Sequence, residues 1–103
     1  MIKRFEINGI IKWMKSDYTK SNRFRTRIMI IPPSSKFFSK KTDFITFWGD
    51  IAQEVAERCK LNEIIYVEGD IQTLYSASSS KIILTGKAFK TAQEILALSL
   101  LKS

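Results

Sequence analysis

Phe44-Ile45-Thr46-Phe47-Trp48-Gly49, then a short helical stretch, then Ile64-Ile65-Tyr66-Val67-Glu68-Gly69-Asp70-Ile71-Gln72-Thr73, decide how this chain folds. The first run alternates and stops at a glycine, as a strand does at a turn. With Ile45 and Phe47 pointing inward, Phe44, Thr46 and Trp48 point outward. Gly49 and Asp50 turn the chain into a helix, with Asp50 as N-cap and Gln53 at capping-box spacing. Ile51, Ala52, Val55, Ala56 and Cys59 recur at helical spacing, and the helix is expected to stop near Leu61 and Asn62. Residues 63–75 then read as a long strand in which Gly69 marks a bend.

Upstream, residues 1–13 alternate. Phe5, Ile7 and Ile11 lie on one side, and Glu6, Asn8 and Lys12 on the other, with Gly9 read as a bulge or bend. Residues 15–22 are polar and read as a hairpin loop. Residues 23–31 are the clearest strand. Arg23, Arg25 and Arg27 share one face, Phe24, Ile28 and Ile30 the other, with Thr26 between them. Pro32 and Pro33 end it, and a basic loop with Phe37 and Phe38 covers residues 36–41. Downstream, residues 76–80 form a loop and residues 81–87 a last strand. Thr91-x-x-Glu94 opens a terminal helix over residues 91–102. Three strands, a helix and two strands is the order of an OB-fold, a five-stranded Greek-key barrel with its helix between strands three and four. A chain of 103 residues accommodates one such domain, residues 1–103.

Composition narrows the chemistry. A hydrophobic fraction of 45% argues against disorder. The chain has no histidine and one cysteine, Cys59. That weighs against a His/Cys metal site, a Ser-His-Asp triad and a disulfide framework, and makes a reducing compartment the default. Cys59 reads as a core residue, because no base is at hand to activate it. The carboxylates are scattered and no phosphate-cradling glycine loop occurs, so neither an enzyme nor a cofactor is expected. No apolar run is long enough for a membrane span, and residues 1–5 lack the apolar centre of a secretory signal.

The formal charge of +7 is unevenly placed. Residues 1–41 carry a net +9 and residues 42–103 a net −2. A basic half in a folded domain favours a polyanion partner, with a merely soluble lysine-rich surface as the alternative. The candidate surface is Arg23, Arg25 and Arg27 beside Phe44 and Trp48, with Lys20, Lys36, Lys40, Lys41 and Tyr75 around it. Aromatics there would stack bases, and the cations would neutralise phosphates. Alternatives stand beside each reading. Trp48 could pack in the core or an interface, and the arginines could pair with Asp43, Glu68 or Asp70. Trp13 reads as structural.

Residues 47–53 together with 65–73 resemble bacterial-type single-stranded DNA-binding proteins. The likeness rests on an aromatic-glycine pair before an apolar-Ala helix start, and on an extended Tyr-Val-Glu-Gly strand ending in an apolar-x-Thr turn. The resemblance implies an oligomer, usually a tetramer, that wraps a single strand around OB barrels in replication, repair or recombination. It puts Trp48 at an outward stacking position. The stacking tryptophan that such proteins carry six residues earlier is Thr42 here, so the resemblance passes that role to Phe44; Tyr75 lies near a third aromatic. The lysine and isoleucine richness and the shortness of the chain suit a bacterial, phage or organellar setting: cytoplasm, stroma or matrix. The acidic recruiting tail of the family has no counterpart in Leu100-Leu101-Lys102-Ser103. A second expectation therefore stands beside the first. It is an OB-fold accessory subunit, primosome-like or a complex component, that binds nucleic acid weakly and docks through its C-terminal helix.

Overall fold

The computed structural model describes residues 3–31 and 43–101. The elements are β1 (Lys3–Tyr18), β2 (Phe24–Ile31), β3 (Asp43–Trp48), α1 (Gly49–Arg58), β4 (Ile64–Tyr75), β5 (Ser80–Thr91) and α2 (Ala92–Leu101). The strands close into a barrel in the order β1-β2-β3-β5-β4. The β3–β5 contact is parallel and the other pairings are antiparallel. This is the expected OB-fold, with α1 between the third and fourth strands.

Alternation builds the core. Ile11, Ile28, Ile30, Ile45, Phe47, Ile65 and Val67 project inward from the strands, and Ala52, Val55 and Cys59 come from α1. Each large apolar side chain so buried contributes about 1.5–3 kcal/mol relative to exposure. Thr26 is the polar member of this interior. Its hydroxyl donates to the Ala52 carbonyl at 2.7 Å and lies 2.8 Å from Ser16 Oγ, so burying it leaves no unmet bond and fixes α1 against β2. Burial pushes the Cys59 thiol up to about 11, in keeping with a core role.

Several element boundaries differ from expectation. β1 runs on to Tyr18, so residues 15–18 are strand, and the hairpin turn is confined to the segment where Thr19 N–H donates to the Arg23 carbonyl. The β1 irregularity lies between Ile11 and Trp13, not at Gly9. Gly9 is instead pressed under Ile30, whose Cβ would lie 2.9 Å from any Cβ at that position. Ile11 explains the shift. Its N–H donates to the Glu63 carbonyl at 3.0 Å and its carbonyl accepts from Asn62 N–H at 2.7 Å. The backbone there is held by the α1–β4 turn, and Lys12 becomes the extra residue of a bulge. α1 starts two residues early: Trp48 is the N-cap, without a side-chain cap bond, and Asp50 falls in the first turn. The helix ends at Arg58 because Cys59 is extended. β5 extends to Thr91, beyond the expected residue 87, since its ladder with β4 continues to Ile65. The Thr91/Glu94 capping box forms as expected.

Gly69 does bend β4. The β4–β5 register shifts between Glu68 and Gly69, and a Cβ at Gly69 would meet the Thr85 carbonyl oxygen at 1.9 Å. A backbone atom cannot step aside as a side chain can. Gly69→Ala is therefore expected to destabilise the barrel by at least about 3 kcal/mol, the upper end of the overpacking range. A lowered urea midpoint at unchanged slope would register the effect.

Candidate nucleic-acid interface

The outer wall of β1, β2 and β3 is assembled by strand register. Asp17 pairs with Arg25 and Arg25 with Trp48; Lys15 pairs with Arg27 and Arg27 with Thr46; Trp13 pairs with Met29 and Met29 with Phe44. Inward partners alternate with these rows, as in Ser16, Thr26 and Phe47. Trp48 and the arginine stripe thus occupy one wall, while Phe47 is fully buried beneath it.

At one end of the wall the Arg23 guanidinium lies 4.3 Å from the centre of the Trp48 ring. A cation over an indole face at this separation is attracted by the ring's quadrupole. At the other end Trp13 meets Phe44 edge to face, with ring centres 5.8 Å apart and planes at 79°. The Arg27 guanidinium lies 5.8 Å from the Trp13 ring. Phe44 is 51% exposed.

Asp17 lies in the Trp48 row, across Arg25. Arg25 donates to it twice, from Nε at 2.7 Å and from the guanidinium tip at 3.3 Å. Arg27 reaches the same carboxylate once, at 3.4 Å. The Arg27 Nε is buried and has no hydrogen-bond partner among the described residues. The Arg25 hydrogen bond holds the Asp17 carboxyl below its ordinary value, and the charges of Arg25, Arg27 and Lys15 act in the same direction against a desolvation cost. Among the described residues the anion that relieves the arginine stripe is therefore Asp17, not Glu68 or Asp70, and the Asp43 side chain lies outside the described residues. Glu68 instead accepts from the Tyr66 hydroxyl at 2.7 Å, which pushes that phenol up to about 12. Asp17 pairs, among the described residues, with Arg25 and Arg27 alone, so with Lys15 and Arg23 beside them the wall stays basic.

The remaining expected residues divide. Lys20 is exposed on the β1–β2 turn, close in sequence to Arg23. Tyr75, 83% exposed, lies at the β4–β5 hairpin, opposite Ser80. The parallel pairing of Ile45 with Leu84 carries that hairpin beyond the Phe44 end of β3, and among the described residues no hydrogen bond or ring contact joins Tyr75 to the wall. Lys36, Lys40 and Lys41, with Phe37, Phe38 and Thr42, lie outside the described residues. Two wall residues were missed by sequence reasoning. Asp17 lies in a polar stretch that reads as a loop, and Trp13, read only as structural, reaches the wall through a bulge that alternation alone does not reveal. Among the described residues no cluster of His, Cys, Asp or Glu could hold a metal ion, and no helix is long and apolar enough to cross a membrane.

Because the folded-state pKa of Asp17 is depressed, its contribution is present above the ordinary value of 3.8 and is lost as pH falls through the lower folded value. Asp17→Asn is expected to lower the urea midpoint at pH 7. The gap to the unsubstituted chain should narrow as both are taken below about pH 4.

Comparison with solved structures places this geometry. The SSB domain of a Synechococcus protein superposes with a TM-score of 0.64 at 18% identity, covering 84% of this chain and 91% of that one. The mitochondrial single-stranded DNA binding protein Rim1 of S. cerevisiae gives 0.72 at 16% identity in one crystal form, covering 88% and 94%. A second form of Rim1 gives 0.69 at 14% identity, covering 88% and 96%. No family model and no curated protein sequence matches the chain. The chain folds as the same OB barrel as the Synechococcus SSB domain and yeast Rim1.

Proposed function

We propose that this protein binds single-stranded DNA without sequence preference, as a self-associating barrel serving replication, repair or recombination. One observation carries the reading: Trp48 and the arginines share the outer β1–β2–β3 wall, with the Arg23 guanidinium already stacked on the indole. Aromatic faces accept any base, and guanidinium groups both stack and contact phosphate. The barrel's likeness to the SSB domain and Rim1 supports the same reading. The wall presents strands and no groove-reading helix, which favours single strands over duplex.

A second reading, an accessory subunit that docks through α2, is favoured by that helix. Leu96, Leu98, Leu100 and Leu101 are all at least 40% exposed on it. Glu94, its acidic residue, is bound to Thr91 and Arg58. An uncharged leucine surface of this kind suits a protein contact.

Titration with oligothymidylate at two salt concentrations separates the readings. Binding is expected to weaken steeply with salt, by about 0.7 logarithmic unit per phosphate contact for each tenfold rise. Trp48→Ala should cost about 1–3 kcal/mol of affinity. Tight binding indifferent to both would refute the proposal. Deleting residues 92–103 is expected to reduce the subunit number in sedimentation while leaving single-strand binding detectable. Loss of association together with negligible strand binding by the whole chain would favour the accessory role.

A further inference from the structure

We infer that Trp13, Phe44 and Arg27 form a second nucleotide station at the end of the wall opposite Trp48, taking one base on the aromatic pair and its phosphate on Arg27. The inference rests on the single-strand reading above and adds a site to it.

The bulge at Lys12 creates the station. Without it Trp13 would share the inward phase of Ile11; with it Trp13 pairs outward with Met29, and Ile28 keeps Met14 on the inner side. Trp13 and Phe44 then meet across β2 at 79°, with Phe44 half exposed. An edge-to-face pair leaves ring surface for a third ring, because the ring that presents its edge keeps both of its own faces clear of its partner.

Arg27 is the guanidinium suited to a phosphate. Arg25 is committed to Asp17 by two bonds, the shorter at 2.7 Å. Arg27 holds Asp17 by one bond at 3.4 Å, and its Nε has no partner among the described residues. A buried donor without an acceptor is unfavourable, so moving Arg27 from Asp17 to a phosphate forfeits little and leaves the Asp17–Arg25 pair in place. Arg27 also lies 5.8 Å from the Trp13 ring, so base and phosphate contacts fall on neighbouring groups. Arg25 is by the same geometry a positioning residue that holds Asp17.

Spacing separates the station from Trp48. Phe44 and Trp48 are four residues apart on β3, about 13 Å at roughly 3.3 Å per strand residue. A stacked nucleotide advances only about 3.4 Å, so a strand that reaches both stations runs over the Arg27 row between them for several nucleotides.

The chain has two tryptophans, which makes each station separately visible. Trp48→Phe leaves Trp13 as the sole indole, and Trp13→Phe leaves Trp48. Each variant is titrated with oligothymidylate of about 16 nucleotides, with binding followed independently by anisotropy of a labelled oligonucleotide. In Trp48→Phe, Trp13 emission is expected to fall with the same midpoint as the anisotropy. In the unsubstituted chain Phe44→Leu is expected to weaken binding about tenfold. Arg27→Gln is expected to reduce the logarithmic salt slope by about one. Anisotropy showing binding while Trp13 emission and the Arg27→Gln slope stay unchanged would overturn the station and leave the single-strand reading standing. No anisotropy change with the unsubstituted chain would overturn that reading, and the station with it.

Discussion

Two backbone hydrogen bonds at Ile11 set the phase of the molecule. Its N–H and carbonyl are both taken by the turn between α1 and β4, at Glu63 and Asn62. A strand whose backbone is held from outside the ladder must absorb one residue to rejoin its neighbour, and Lys12 is that residue. Everything distal to it on β1 changes face. Met14 and Ser16 turn in toward Ile28 and Thr26, while Trp13, Lys15 and Asp17 turn out toward Met29, Arg27 and Arg25. Slipping a strand by one residue exchanges its core and solvent sets. The bulge makes that exchange locally, keeping the barrel closed while bringing an indole and a carboxylate to the basic wall.

Asp17 has two roles in this arrangement. It lets Arg25 and Arg27 stand on adjacent sites of one strand face without an external anion, since like charges there repel. It also ranks them, because one guanidinium is held twice and the other once. A wall of this design is folded before any polyanion arrives and still has cationic capacity to offer.

The barrel was legible because its inner residues obey simple periods. Ile28 and Ile30 on β2, Ile45 and Phe47 on β3, and Ile65 and Val67 on β4 alternate cleanly, and each is buried. The Thr91/Glu94 box could be read for the same reason: its geometry is local. The outer wall was legible only where period two runs unbroken, in the arginines of β2 and in Phe44 and Trp48 of β3. It failed on β1. The bulge depends on hydrogen bonds to a segment some fifty positions away, which no local window contains. Residues 15–18 are strand because they pair with Arg27, Thr26, Arg25 and Phe24, although their polar composition reads as loop.

Glu94 joins three elements through one carboxylate. It closes the α2 capping box with Thr91 at the end of β5, and it pairs with Arg58 in the last turn of α1. Arg58 in turn lies 5.1 Å from the Phe89 ring. The two helices are therefore mechanically coupled without packing directly on each other. Both side chains of the Arg58–Glu94 pair are partly exposed, so the tie between the helices is a surface ion pair, worth about 0–1 kcal/mol and weakened by salt.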